Sequence, residues 1–306
     1  MNIQKRKLGH SSLEVSTIGL GCMSLGTNEQ EAIAILDAAL DRGINYLDTA
    51  DLYDQGLNEE FVGKALKGRR EEVILASKVG NRFTRGEDGW HWDPSKAYIK
   101  EAVKDSLHRL QTDYIDLYQL HGGTTDDPID ETIEAFDELK KEGLIREYGI
   151  SSIRPNVIKQ FVERSSIVSV MMQYSLLDRR PEELFPYLEE HQVSVLARGP
   201  VAKGILTEKP FDKLPTKVKQ EGYLSYPARE LRETVIALNN LKEQHTLNEL
   251  ALTYCLFHPV VASVVAGAST MQQLIDNIEA SQKLLPESFF KELIDLTRRD
   301  VYTSHR

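Results

Sequence analysis

The sequence is poor in cysteine, and this bears on its cross-links and on metal binding. Only Cys22 and Cys255 occur among the 306 residues, and neither belongs to a CxxC motif or a Cys/His cluster. Disulfide frameworks and zinc sites need closely spaced residues of these types. We therefore predict neither a disulfide nor a bound metal, and we expect both thiols to be packing residues.

Long apolar runs and an excess of positive charge are also absent. No stretch approaches the roughly 20 apolar residues that span a bilayer. The basic N-terminal segment MNIQKRKLGHSSLEV lacks the apolar region of a secretory signal. The net charge is −10, whereas nucleic-acid-binding proteins usually carry a basic face. These absences predict a cytoplasmic protein that binds neither membranes nor nucleic acids.

What the sequence does contain is an alternation of strand-like runs and segments of helical period. After a predicted hairpin, RKLGHSSLEV, the first pairs are TIGLG with EAIAILDAALDRG, INYLD with NEEFVGKALKG, and VILASK with SKAYIKEAVKDSLHRLQ. On the first helical segment, Ile33, Leu36 and Leu40 recur at spacings of three and four residues. Asp93 followed by Pro94 predicts the start of a helix.

Eight strand–helix units follow one another, and the last consists of SVVAG and MQQLIDNIEASQ. Eight such repeats predict a (β/α)8 TIM barrel with an N-terminal β-hairpin and additional C-terminal helices. An open doubly wound sheet is the alternative, but GLGCMSLG in the first unit lacks the GxGxxG spacing. No linker or low-complexity segment divides the chain, so we predict one domain over residues 1–306.

Residues with catalytic chemistry occur at the ends of three successive predicted strands. Asp48 ends the second strand with Tyr53 in the loop behind it, Lys78 ends the third, and His121 ends the fourth. Each has an ordinary explanation alone, since Asp and Thr in DTADLY suit a solvated turn. In barrels, however, catalytic groups lie at the C-terminal ends of the strands. The four residues together predict an active site.

These four side chains suit the protonation of a carbonyl oxygen. A tyrosine hydroxyl has a pKa near ~10, and the Lys78 ammonium would favour the Tyr53 phenolate and lower that pKa. Asp48 would hold the lysine, and His121 would orient a carbonyl substrate or share the proton transfer. The chain contains no GxSxG motif for an acyl nucleophile. A bound cofactor would have to supply the hydride.

The end of the chain offers a place for a cofactor phosphate. Ser269 and Thr270 follow the eighth strand and precede a helix, and barrels often bind phosphate on such a helix N-terminus. The same feature would serve a sugar-phosphate isomerase or aldolase. An ordinary helix N-cap explains it equally well.

Nearly the whole chain resembles the aldo-keto reductases, and most of all their bacterial members and the potassium-channel β-subunits. The resemblance rests on NYLDTADLY, on ASK at Lys78, on DYIDLYQLH ending in His121, on YGISS and on GASTMQQLIDN. It implies an NADPH-dependent reductase of aldehydes and ketones. Tyr53 would donate the proton, supported by Asp48, Lys78 and His121. A cofactor-sensing regulatory subunit is the alternative, because the channel subunits share these motifs.

The resemblance also implies an NADPH site, in which Ser151, Ser152 and Gln173 contact the nicotinamide amide and Lys209 lies close to a phosphate. The residues that it assigns to the cofactor are Gly21, Cys22, Met23, Asp48, Ser151, Ser152, Gln173, Arg198, Pro200, Val201, Lys203, Gly204, Lys209, Gly267, Ser269, Gln273 and Asn277.

Two positions depart from the family pattern. Arg198 occupies the position where the family commonly has an aromatic residue that stacks on the nicotinamide. Its guanidinium could stack on the nicotinamide ring in the same way, or it could bind a cofactor phosphate or an anionic substrate. A cationic residue that some branches place in the last-strand motif is missing from GASTMQQLIDN. The preference for NADPH over NADH therefore depends on Lys209.

The walls of the substrate pocket are predicted from one long loop. The long loop after Lys78 carries both tryptophans, Trp90 and Trp92, and we predict that one or both wall the substrate site beside Tyr53 and His121. Packing on a neighbouring helix is the alternative. We expect a small-molecule carbonyl substrate and a monomer or weak homo-oligomer.

Overall fold

The architecture is taken from a computed structural model, which describes residues 3–241 and 245–306. The strands are β1 (Lys5–Lys7), β2 (Glu14–Ser16), β3 (Ile18–Gly21), β4 (Tyr46–Asp48), β5 (Ile74–Val79), β6 (Asn81–Arg82), β7 (His91–Trp92), β8 (Ile115–Leu120), β9 (Ile145–Ser151), β10 (Ser169–Gln173), β11 (Ser194–Arg198) and β12 (Val261–Gly267). The helices are α1 (Glu29–Asp41), α2 (Leu57–Ala65), α3 (Lys96–Leu110), α4 (Ile129–Lys141), α5 (Pro155–Arg164), α6 (Phe185–Glu190), α7 (Thr216–Glu221), α8 (Ala228–Leu241), α9 (Leu247–Phe257), α10 (Met271–Ser281) and α11 (Glu287–Leu296).

Eight of these strands form a closed parallel barrel. Around the barrel the order is β3, β4, β5, β8, β9, β10, β11 and β12, with β12 paired to β3. The remaining strands form two antiparallel hairpins, β1–β2 and β6–β7. The (β/α)8 prediction is confirmed, including the N-terminal hairpin and the extra helix α11 at the C-terminal end.

The N-terminal hairpin closes one end of the barrel. Leu8, Leu13 and Val15 belong to one buried apolar cluster together with strand residues such as Tyr46 and Leu117. A second, larger cluster fills the layer between the strands and the surrounding helices. Burial of the hairpin side chains stabilises the N-terminal end, and the opposite end is left for the loops that follow the strands.

One predicted helix start is wrong. Helix α3 begins after Ser95, whose hydroxyl accepts a hydrogen bond from the Tyr98 N–H at 3.3 Å. Asp93 instead accepts from the Ser95 N–H at 3.1 Å, so it fixes the turn before the helix. Pro94 therefore lies in that turn, and serine provides the N-cap that favours the first helical turn.

The C-terminal segment beyond α11 packs against the barrel. The His305 carbonyl accepts a hydrogen bond of 2.8 Å from the Asn156 N–H at the start of α5. Arg179 donates to the carbonyl groups of Ile294 and Thr297. Within residues 3–241 and 245–306, no helix is both long enough and apolar enough to cross a membrane.

Candidate active site

The predicted catalytic side chains lie at the mouth formed by the C-terminal ends of the barrel strands. Asp48 is the last residue of β4, Lys78 is the last but one of β5, and His121 directly follows β8. These three strands are neighbours in the barrel, because β5 pairs with both β4 and β8. The parallel pairing therefore brings residues that are up to 73 positions apart in the chain to one place.

Lys78 is the centre of a buried polar cluster. Its Nζ donates to Asp48 Oδ2 at 2.7 Å, to the Thr49 carbonyl at 2.8 Å and to the Tyr53 hydroxyl at 3.1 Å. The Lys78 side chain is only 1% exposed. Burial alone would lower the pKa of Lys78, but the Asp48 carboxylate and Tyr53 hold that pKa above its usual value. The ammonium is therefore charged at neutral pH and contacts Tyr53 directly.

A tight left-handed turn sets the position of Tyr53. The three residues after it have positive φ: 49° at Asp54, 53° at Gln55 and 88° at Gly56. The positive φ at Gly56 favours glycine, and a Cβ there would also come within 2.7 Å of the Arg109 side chain. Gln55 binds the loop between β6 and β7 through the Gly86 N–H at 2.7 Å. The turn thus fixes both Tyr53 and the tryptophan-bearing loop.

The pKa of Tyr53 shifts in the direction opposite to the one expected from Lys78 alone. Burial raises the pKa of Tyr53, and the opposing effects of Lys78 and Arg198 do not cancel that rise. Desolvation of the phenol, which depends on packing, outweighs the effect of the nearby ammonium. At neutral pH, Tyr53 is therefore a protonated phenol, which is the form that donates a proton.

His121 is a neutral imidazole at physiological pH. Burial, together with the positive charges of Lys78 and Arg198, lowers the pKa of His121 to about 3. Its ring meets the Tyr53 ring edge-on, with 5.9 Å between the centroids and 82° between the planes. The neutral ring is suited to donating a hydrogen bond from N–H, whereas an imidazolium would compete with Tyr53 as the acid.

A cavity of about 350 Å³ opens beside these groups. Its walls include Trp90, Trp92, His121, Ser151, Arg154 and Arg198. Trp92 donates from Nε1 to Asp127 Oδ1 at 2.9 Å, and its ring lies against Gly80 and Gly122, where a Cβ would come within 2.6 and 3.1 Å. Trp90 is 56% exposed at the rim. Both tryptophans thus line the same cavity as His121.

Comparison with known proteins agrees with this geometry. The family model described as the Aldo/keto reductase family matches residues 17–297. The chain belongs to the aldo/keto reductase family. It is thus an oxidoreductase that acts on small molecules, from a family that generally uses NAD(P)H.

Bacterial members of the aldo/keto reductase family are similar over their whole length. The uncharacterized oxidoreductase YqkF of Bacillus subtilis is 61% identical and covers 99% of this chain and 100% of its own. Protein tas of Escherichia coli is 33% identical, with 95% and 96% covered. The holo form of aldo-keto reductase AKR11C1 from Bacillus halodurans is 62% identical, covers 100% of both chains and superposes with a TM-score of 0.95. The resemblance to bacterial aldo-keto reductases is confirmed.

In this aldo/keto reductase, several of the residues expected at the cofactor lie at further strand ends of the same mouth. Ser151, Gln173 and Arg198 end β9, β10 and β11, and Gly21 and Gly267 end β3 and β12. Arg198 Nη1 donates to Gln173 Oε1 at 3.4 Å. The two side chains therefore form one polar edge beside the cavity.

Further residues expected at the cofactor follow β11 and β12 in the chain. Pro200, Val201, Lys203, Gly204 and Lys209 follow β11, and Lys203 and Lys209 are exposed. Ser269 precedes α10, and its N–H donates to Gln273 Oε1 at 2.8 Å, which closes the first turn of that helix.

Three of the expected cofactor residues differ in their exposure. Cys22 is fully buried, its thiol donates to the Leu20 carbonyl at 3.6 Å, and burial raises its pKa. Asn277 is also buried, and its amide bridges the Gly267 carbonyl at 3.2 Å and the Asn248 amide at 3.1 Å. Met23, in contrast, is 64% exposed. The amide of Asn277 is thus already used to join α9, α10 and the end of β12.

Several residues of the site were missed in the sequence. Gln119 donates to Asp48 Oδ1 at 3.3 Å, and its position two residues before His121 on the same strand face was a usable signal. Gln173 was itself predicted, but its partners Asp178 and Tyr223 were not: its Nε2 donates to Asp178 at 3.0 Å and to the Tyr223 hydroxyl at 3.3 Å. Gln173 and Tyr223 are 50 residues apart in the chain, and no local sequence pattern predicts their contact.

Proposed function

We propose that this protein is a cytoplasmic, single-domain reductase that uses NADPH to convert aldehydes and ketones into alcohols. The observation that carries the proposal is the 3.1 Å contact between Lys78 Nζ and the hydroxyl of a protonated Tyr53, whose ring meets a neutral His121 on the wall of the cavity. Asp48, Tyr53, Lys78 and His121 are the residues to which we assign the chemistry, and Trp90 and Trp92 those that wall the substrate.

The residues at the mouth fit a nicotinamide dinucleotide. Gln173 and Ser151 offer amide and hydroxyl groups beside the cavity, where a carboxamide can bind. Arg198, Lys203 and Lys209 form no ion pair with any residue of the described ranges, so their charges are available to the ring or to phosphates. The first turn of α10 adds backbone N–H groups at a helix N-terminus. We propose that Lys209 directs the preference toward NADPH.

The nicotinamide, when bound, supplies a hydride to the carbonyl carbon. The Tyr53 hydroxyl donates its proton to the carbonyl oxygen, and the Lys78 ammonium stabilises the phenolate that remains. Asp48 keeps that ammonium in place and balances its charge. The N–H of His121 donates a hydrogen bond to the same oxygen and orients it toward Tyr53.

The pKa shifts predict an asymmetric pH dependence. Reduction requires protonated Tyr53, whose pKa is raised above its usual ~10, so kcat for reduction should stay level from about pH 6 to 9 and fall only at higher pH. Alcohol oxidation requires the phenolate and should rise over the same range. His121, with a pKa of about 3, should contribute no inflection near neutrality. An inflection of kcat near pH 6.5 that disappears in His121→Gln would show that His121 titrates there, and would contradict its assignment as a neutral imidazole.

The direct test of the proposed function is the oxidation of NADPH, followed at 340 nm, with a panel of small aldehydes and ketones. We expect turnover by the isolated protein, with alcohol formed in equal amount to NADP+. Repeating the assay with NADH gives the ratio of kcat/KM for NADPH to kcat/KM for NADH. The Lys209→Ala substitution should lower this ratio. Tight NADPH binding without turnover of any carbonyl compound would instead favour the cofactor-sensing regulatory subunit.

A further inference from the structure

The cavity beside His121 carries only positive charge on its walls. Two arginines, Arg154 and Arg198, line it, and within the described part of the chain its lining includes no aspartate or glutamate. The whole chain, in contrast, has 47 acidic and 37 basic residues. A cationic cavity in an acidic protein focuses a positive potential on the place where the substrate binds.

The two arginines belong to different parts of the cavity. Arg198 ends β11 and contacts Gln173 on the side that we assign to the nicotinamide. Arg154 lies between β9 and α5, next to Ile153, which also lines the cavity. With Arg198 engaged by the cofactor, Arg154 is the cation that remains for the substrate.

Arg154 is held in place by neutral groups. Its Nη1 donates to the Gly123 carbonyl, and its backbone N–H donates to the Ser152 hydroxyl at 3.2 Å. No carboxylate among the described residues forms an ion pair with it. Two other half-buried arginines differ in this respect, because Arg109 pairs with Glu59 and Arg180 with Asp178, each at 2.7 Å. Arg154 therefore keeps an uncompensated charge and further free N–H donors.

The loop after His121 contains two acidic residues: Asp126 is exposed, and Asp127 is held by hydrogen bonds within the loop and to Trp92. Asp127 accepts hydrogen bonds from the Thr124 N–H at 2.6 Å, from the Thr124 hydroxyl at 2.8 Å and from Trp92 Nε1 at 2.9 Å. These bonds fix the loop and the Trp92 wall. Neither of these two carboxylates forms an ion pair with Arg154, so its guanidinium is left to pair with a carboxylate on a bound molecule.

Building on the proposed reductase function, we propose that the preferred substrates are aldehydes that carry a carboxylate, and that Arg154 binds this carboxylate. A guanidinium and a carboxylate form paired, charge-assisted hydrogen bonds. Trp90, Trp92 and Ile153 would cover the carbon skeleton between the carboxylate and the aldehyde. The aldehyde oxygen would then meet Tyr53 and His121, within a cavity of about 350 Å³.

The test compares 4-carboxybenzaldehyde with 4-formylbenzamide, which has nearly the same shape and no charge. The readout is the ratio of kcat/KM for the acid to kcat/KM for the amide, measured with NADPH. Arg154→Met should lower this ratio by about 10- to 100-fold, the loss expected for a charge-assisted hydrogen bond. Arg154→Lys, which keeps the charge and loses the fork geometry, should give an intermediate ratio.

Arg164→Met is the matched control, since Arg164 lies at the other end of α5 and pairs with Asp130 on the surface. It should leave the ratio unchanged.

In the wild-type protein, raising the salt concentration should lower kcat/KM for the acid more than for the amide. A ratio unaffected by Arg154→Met and by salt would overturn the proposal while leaving the reductase function intact. Failure to reduce either aldehyde would overturn the reductase function and this inference with it.

Discussion

Replacement of Tyr53 by phenylalanine should lower kcat for carbonyl reduction by about 10²- to 10⁴-fold, the usual contribution of a positioned general acid. The substitution removes one oxygen atom, which accepts a hydrogen bond from Lys78 Nζ at 3.1 Å. Lys78 keeps its bonds to Asp48 and to the Thr49 carbonyl, so the ammonium remains in place. We therefore expect the dissociation constant of NADPH to change little. Steady-state kinetics and fluorescence titration of NADPH measure the two quantities.

Tyr187→Phe is the control for this experiment. Its hydroxyl donates to Glu163 at 3.3 Å on the surface, so the same chemical change occurs away from the mouth. Activity should be retained. A Tyr53→Phe variant with nearly full activity would mean that another group donates the proton, and His121 would be the first to examine.

Replacement of Lys78 by methionine should abolish activity and also weaken the fold. The side chain is 1% exposed and the Asp48 side chain 5%, so the substitution leaves a buried carboxylate without its cation. Removing one partner of a buried ion pair costs about 3–5 kcal/mol. Urea unfolding of the wild type and variant gives the change in the free energy of unfolding. A loss below 1 kcal/mol would show that water or another group already compensates Asp48.

Two further variants separate charge from packing. Lys78→Met combined with Asp48→Asn should recover most of the lost stability, because it removes the unpaired charge, but it should recover no activity. Lys64→Met breaks an ion pair of the same length, 2.7 Å, between half-exposed side chains. Surface pairs are worth about 0–1 kcal/mol, so this control should remain close to the wild type in stability.

The destabilisation of Lys78→Met should also depend on pH. Burial raises the pKa of Asp48, and Lys78 opposes that rise in the wild type. Without Lys78, the folded-state pKa of Asp48 should lie well above its unfolded value near ~3.9. Folding then becomes less favourable as the pH increases through the folded-state pKa. The variant should accordingly be closer to the wild type in stability at pH 5 than at pH 8.

The positions of the chemical groups were largely predictable because they follow the regularity of the barrel. Counting eight strand–helix units places Asp48, Lys78 and His121 at consecutive strand ends, and parallel pairing brings them to one mouth. Gln119 was predictable by the same reasoning, from the alternation of side chains along β8.

The protonation states and the cavity walls were not predictable in this way. The direction of the Tyr53 pKa shift depends on desolvation, which only the packing of the mouth determines. Arg154 lies 31 residues after its partner Gly123, and two loops must meet before its charge faces the cavity. The start of α3 was missed because Asp93 and Ser95 both suit an N-cap, and the sequence does not choose between them.

The most direct test of the account is transfer of deuterium from NADPH labelled at both C4 positions to an aldehyde, with the product alcohol analysed by mass spectrometry. We predict one deuterium per alcohol molecule, located on the carbinol carbon, and loss of this product in Tyr53→Phe. Unlabelled alcohol, or consumption of NADPH without any alcohol, would contradict hydride transfer at this site and with it the assignment of Asp48, Tyr53, Lys78 and His121.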